Sequence, residues 1–113
     1  MKIVKLPTKA TLKKYGLTQG EWLQILESQD YKCPVCGRDL ADENNLVRLV
    51  IDHAHVKGYA KKSPEDRKLF VRGILDTYCN FRVINKNINL QKAKNIVTYL
   101  EKFEDKLRSE GLE

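Results

Sequence analysis

Apolar positions along the chain fall into three patterns, and each implies a different element. Trp22, Leu23, Ile25 and Leu26 follow Thr18-Gln-Gly-Glu21. A threonine and a glutamate at that separation form a capping box, so a helix is expected from about Gln19 to Gln29, its apolar side inward and Trp22 a packing residue. Leu46–Ile51 is aliphatic and β-branched with Arg48 on an alternate position, and Lys68–Leu75 repeats that character, which predicts two strands. The segment between them, Val56–Arg67, carries Lys57, Gly58, Lys61, Lys62 and Pro64 and reads as a solvated, partly mobile finger. A short helix is expected from Cys79 toward Asn85. Asn89 then caps a last helix in which Leu90, Ala93, Val97, Leu100, Phe103 and Leu107 recur at helical spacing. That stripe packs into a core by default, and a helix-mediated homodimer is its second reading. No internal repeat or low-complexity segment is present.

These elements make an α+β class protein. Its 113 residues suit one small domain, read here as 15–113, with 1–14 a basic N-terminal arm that holds Lys2, Lys5, Lys9, Lys13 and Lys14 and no acidic residue. Charged residues make up 32% of the chain and the formal net charge is +6, which favours a polyanionic partner such as nucleic acid or an acidic membrane surface. No apolar run approaches the roughly 20 residues needed to span a bilayer, and the first residues do not read as a signal peptide, so a cytoplasmic setting is expected. Three cysteines cannot all pair within the chain, which points to metal ligation or simple burial before a disulfide framework.

Cys33-Pro-Val-Cys36-Gly supplies two thiols in a tight turn, one half of a tetrahedral zinc site. The other half is Asp76-Thr-Tyr-Cys79, in which a carboxylate stands where symmetry calls for sulfur. Aspartate oxygen is an accepted zinc ligand with the charge of a thiolate, though a harder donor that binds more weakly. Two alternatives stay open. The CxxC is a redox pair if it sits in a thioredoxin-like βαβ unit, and the cysteines are buried free thiols if no metal binds.

Both histidines of the chain, His53 and His55, lie beside Asp52 at the end of an apolar run. Such sparing use of histidine, placed next to an acid, reads as chemistry, against the alternative of surface side chains at a strand end.

Tyr15-Gly-Leu-Thr18, the helix after it, CPVCGR from Cys33, IDHAH from Ile51, VRGIL from Val71 and Cys79-Asn80, in that order, resemble the recombination endonuclease VII family of His-Me finger, or HNH-like, nucleases. The likeness runs from about Tyr15 to Phe103. It implies a zinc-stabilised ββα-metal core with flanking N-terminal and C-terminal helices, phosphodiester hydrolysis in DNA, and a phage or bacterial host setting. By matching position, Asp52 and Asn80 would hold a catalytic Mg2+ or Mn2+, His53 would be the general base, and His55 would face the scissile phosphate. Cys33, Cys36, Asp76 and Cys79 would hold the structural zinc. Asp76 in place of a cysteine, Ala54 where the family often has an acid, Val83 in place of a glutamate and a long loop after His55 depart from the family pattern.

Consecutive strand residues point to opposite faces, so Asp52 and His53 can both serve one centre only if the strand ends or bulges there. Arg72 and Arg82 flank that centre and suit a bidentate phosphate clamp, while Lys57, Lys61 and Lys62 suit tracking of the DNA backbone. Nothing resembles a base-reading element, so DNA is expected to be recognised by backbone and shape, whether nicked, branched as in a Holliday junction, or linear. The competing reading is a non-catalytic zinc-ribbon-like nucleic-acid binder, and behind it a protein-interaction module built on the C-terminal stripe.

Overall fold

Thr8, Thr18, Ser63 and Asn89 each accept a hydrogen bond from a backbone N–H three residues on, and a helix starts after every one of them. The structure, a computed structural model, describes residues 4–41 and 48–111. In chain order it holds α1 (Lys9–Lys14), α2 (Gln19–Ser28), β1 (Leu49–His53), a 3-10 turn (Tyr59–Lys61), α3 (Pro64–Lys68), β2 (Val71–Asp76), a π-helical turn (Cys79–Val83) and α4 (Leu90–Glu110). Two compact units follow the chain, Met1–Val83 and Ile84–Glu113.

In the first unit α2 begins with the expected capping box, Thr18 and Glu21 each accepting from the other's backbone N–H. Trp22 and Leu26, one turn apart, point into the core with Leu12, Leu17, Leu40, Ile51, Ile74 and Leu75. A buried tryptophan removes roughly 150–250 Å² from water, about 4–6 kcal/mol of gross stabilisation at ~25 cal/mol/Å². Packing, the role expected of Trp22, is therefore what it does.

β1 and β2 form a two-stranded antiparallel sheet that pairs Leu49 with Asp76, Ile51 with Ile74 and Asp52 with Gly73. The register then slips, so that His53 faces Val71 and Arg72 is the extra residue of a β-bulge. On the outer edge of β2 the side chain of Gln29 replaces a third strand. Its Oε1 accepts from the Ile74 N–H at 2.8 Å and its Nε2 donates to the Ile74 carbonyl at 2.8 Å. A side chain at Gly73 would crowd that amide, its Cβ only 2.9 Å from Gln29 Oε1. Edge groups that would otherwise lie buried and unpaired are thereby satisfied.

Three expectations change. Residues 9–14, read as part of a basic arm, form a helix, because the Thr8 cap and the burial of Leu12 give the lysine-rich segment an anchored end. The finger of residues 56–67 is also structured. Ser63 caps α3, Pro64 occupies its first turn, Glu65 and Asp66 sit at its positive end and Arg67 and Lys68 at its negative end, so the helix signals were present beneath a lysine-rich composition. Lys68 therefore ends α3 rather than starting β2, and its ammonium pairs with Glu21 on α2. The start of the strand read from Leu46 lies outside the described residues.

The second unit contains α4, capped by Asn89 and closed by Gly111 in the left-handed conformation. No residue of α4 is buried, and Leu90, Val97, Leu100 and Phe103 are each more than half exposed, so the stripe expected to pack into a core remains open.

Gly16 has a φ of +71°, and a Cβ there would lie 1.9 Å from the Pro64 carbonyl oxygen, so the turn after α1 and the start of α3 meet only across a glycine. Gly58 has a φ of +74° with nothing within 4 Å of its Cβ position. Gly16→Ala is expected to cost at least about 2–3 kcal/mol in chemical denaturation, against about 1 kcal/mol for Gly58→Ala, which bears only the backbone term. Equal losses would show that the Gly16–Pro64 approach does not constrain the fold.

Candidate metal centre and catalytic site

Two consecutive left-handed residues, Asp30 (φ 55°) and Tyr31 (φ 58°), reverse the chain after α2 and lead it into a knuckle. There Cys33 N–H donates to the Arg38 carbonyl at 2.9 Å and Gly37 N–H to the Cys33 carbonyl at 2.8 Å, with Gly37 at φ +77°. This turn presents Cys33 and Cys36 toward the end of β2 and the start of the π-helical turn, which bring Asp76 and Cys79. The donor atoms of the four side chains all lie within 4.8 Å of one another. Cys33, Asp76 and Cys79 are buried and Cys36 is exposed.

The carboxylate is held on both sides. Asp76 Oδ1 accepts from the Cys79 backbone N–H at 2.8 Å and Oδ2 from the Cys36 thiol at 3.0 Å. Burial alone would raise Asp76, but these hydrogen bonds hold it below its ordinary value. Burial and then the neighbouring thiols push Cys79 well up, and the hydrogen bond to Asp76 raises Cys36. Three soft sulfurs and one oriented hard oxygen around a common centre fit a tetrahedral zinc ion, which would replace the thiol protons and cancel the charge the cluster now suppresses. The two half-sites expected from the sequence thus come together, and among the described residues no βαβ unit surrounds the CxxC as a thioredoxin-like site would need.

At the other end of the ladder stand Asp52 and His53. β1 ends at His53, one of the two conditions the sequence reading set, and the pairing slips between these two positions because the opposite strand carries Arg72 as an extra residue. Asp52 is 5% exposed, and both its oxygens are taken by Arg72, Nε to Oδ2 at 2.8 Å and Nη2 to Oδ1 at 3.0 Å. Arg72, read from the sequence as a phosphate clamp, here holds a carboxylate. The half-buried His53 ring stacks on Tyr59 with centroids 4.3 Å apart and an interplanar angle of 24°, with His55 at 4.8 Å and Tyr15 at 5.4 Å. Burial, followed by the charge of His55, lowers the His53 pKa from its ordinary value and Asp52 opposes this, so the imidazole is neutral at neutral pH.

Asn80 is half-buried on the π-helical turn beside Cys79, and the oxygens of Asp52 are engaged by Arg72 and not by Asn80. Arg82 lies exposed on the same turn, Lys57 and Lys61 are exposed, and Lys62 places its Nζ 5.4 Å from the centre of the Phe70 ring. Sequence reasoning missed the aromatic support of His53. Tyr59 sits in a segment read as solvent-exposed and Tyr15 in the turn after α1, and neither has a periodic signal that ties it to a histidine.

If Asp76 is a zinc ligand, purified protein is expected to hold about one equivalent of zinc, and Asp76→Ala to weaken retention against a chelator by roughly 10- to 100-fold with a lower Tm. Asp76→Cys is expected to retain zinc at least as firmly as the parent. Elemental analysis and thermal melts read both; unchanged zinc content and Tm in Asp76→Ala would remove the carboxylate from the site.

No curated protein and no solved structure matches the chain. A family model does, that of recombination endonuclease VII, over residues 8–102, from the threonine that caps α1 into α4. On a match of that extent, the chain belongs to the recombination endonuclease VII family.

Proposed function

We propose that the protein is a metal-dependent DNA endonuclease in which His53 is the general base. The observation that carries this reading is the adjacency of a buried, charge-balanced carboxylate and a neutral imidazole at one bulge, in a chain whose family membership implies nuclease activity. Phosphodiester hydrolysis needs a proton taken from water, compensation of charge at phosphorus and help for the leaving oxygen.

His53 suits the first task. Its stacking on Tyr59 fixes the plane of the ring, and its lowered pKa keeps a lone pair available at neutral pH. Asp52 and the Asn80 side-chain amide offer hard oxygens of the type Mg2+ or Mn2+ prefers, and the position of Asp52 already carries a compensating positive group, which fits a cation-binding carboxylate. A divalent cation held there would stabilise the charge that develops on the phosphate and the leaving oxygen. His55, exposed and 4.8 Å from His53 by ring centroids, faces solvent where a phosphate would approach. Arg82, Lys57, Lys61 and Lys62 supply sequence-independent attraction for the DNA backbone.

The Arg72–Asp52 pair also favours a second reading, a zinc-ribbon-like nucleic-acid binder in which Asp52 is only structural. Plasmid nicking separates the two. Cleavage with Mg2+ or Mn2+ is expected, abolished by a chelator, and His53→Ala is expected to lower its rate by roughly 10² to 10⁴-fold while binding is kept. Undiminished cleavage by that variant would remove His53 from the chemistry. In a salt titration of binding, changing Lys57, Lys61 and Lys62 together to alanine is expected to flatten the log–log slope by about 0.9 for each lysine that meets a phosphate. An unaltered slope would take this loop out of the interface.

A further inference from the structure

The bulge has one result that catalysis by His53 does not use. In unbroken register Arg72 would lie opposite His53 and share its side of the sheet, turned away from Asp52. The slip instead leaves Arg72 without a cross-strand partner, and its guanidinium swings onto the carboxylate of Asp52 in a two-point contact. The two side chains are unequal. The side chain of Asp52 is 6% exposed and that of Arg72 42%, so the carboxylate is enclosed while the guanidinium reaches it from the solvent side.

A buried ionised carboxylate is costly without a partner, and Arg72 meets both of its oxygens. The same contact obstructs a metal ligand. A divalent cation touching Asp52 would stand against a guanidinium of like charge, and the two repel most where water is scarce. Much of the Arg72 side chain is already in water, so the cost of its departure falls on the buried carboxylate, and a cation that takes its place on Asp52 offsets it. Its charge also reaches His53, so the group lies beside the proposed reaction centre.

We infer that Arg72 is a resident counter-ion of Asp52, displaced when a divalent cation binds and thereby released to hold a phosphate oxygen of the DNA; this rests on the reading of Asp52 as a cation ligand. In the free protein the two groups occupy each other. When substrate and cation are both present, the carboxylate takes the cation and the guanidinium takes the phosphate. Each ligand removes the other's competitor, so cation and DNA bind with positive, reciprocal coupling. Asp52 remains charge-compensated in both states, which spares the fold an unpaired buried carboxylate.

The test is Mn2+ binding to the zinc-loaded full chain without DNA, read as free Mn2+ by electron paramagnetic resonance. Arg72→Gln removes the competing charge and is expected to bind Mn2+ about tenfold more tightly than the parent. Arg72→Lys, which keeps the charge but has one contact point in place of two, is expected to fall between them and serves if the glutamine variant does not fold. In a His53→Ala background, adding a short duplex is expected to tighten Mn2+ binding by a similar factor where Arg72 is present and to have no effect with Arg72→Gln. Arg72 variants that bind Mn2+ no more tightly than the parent, while Asp52→Asn abolishes binding, would overturn the exchange and leave the proposed function standing. Mn2+ binding unaffected by Asp52→Asn would overturn both, because the cation would then lie elsewhere.

Discussion

A ribbon of two antiparallel strands buries too little surface to hold itself flat in water, and the way this one is held decides where its chemistry can sit. At one end the last residue of β2, Asp76, belongs to the Cys33–Cys36–Cys79 cluster. Along the outer edge Gln29 supplies the hydrogen bonds of a missing strand. On one face the cross-strand pair Ile51 and Ile74 is buried, as Trp22 and Leu26 are. With one end, one edge and one face fixed, the far end of the ladder is free to depart from regular pairing, and there the bulge at Arg72 shifts the pairing between Asp52 and His53.

The two ends use charge differently. In the cysteine cluster three thiols and a carboxylate converge, burial and the neighbouring groups raise Cys79, the hydrogen bond to Asp76 raises Cys36, and the Cys36 thiol donates to Asp76. That is the electrostatic signature of a site suited to a positive ion. At the bulge the enclosed carboxylate already has its positive partner, a flexible side chain that belongs to the protein. A soft, closed donor set is suited to a permanent structural ion, whereas a hard carboxylate covered by a displaceable arginine is suited to exchange.

His53 is held by packing more than by hydrogen bonding. Tyr59 comes from the 3-10 turn and Tyr15 from the end of α1, so the segments on either side of the histidine converge on one ring. The close approach of Gly16 to Pro64 joins the turn after α1 to the start of α3, in the same finger that carries Tyr59. The finger after His55 therefore contributes support for the imidazole as well as surface charge.

The sequence by itself determined what depends on local spacing. The capping box at Thr18, the Asn89 cap, the two half-sites at Cys33/Cys36 and Asp76/Cys79, and the need for an irregularity at Asp52-His53 are all readable over a few residues, because caps, knuckles and strand alternation are local geometry. The ordered motifs also carried the family resemblance, which the match over residues 8–102 bears out. Tertiary structure alone decided which strand bears the bulge, that Arg72 turns to Asp52 instead of outward, that Gln29 closes an edge lying 45 residues away in sequence, and that Tyr59 lies on His53. The Arg72 and Gln29 contacts join residues 20 and 45 positions apart, and the Tyr59 contact spans an irregular turn with no periodic signal, so their formation depends on how burial, charge and backbone pairing balance once the core has closed.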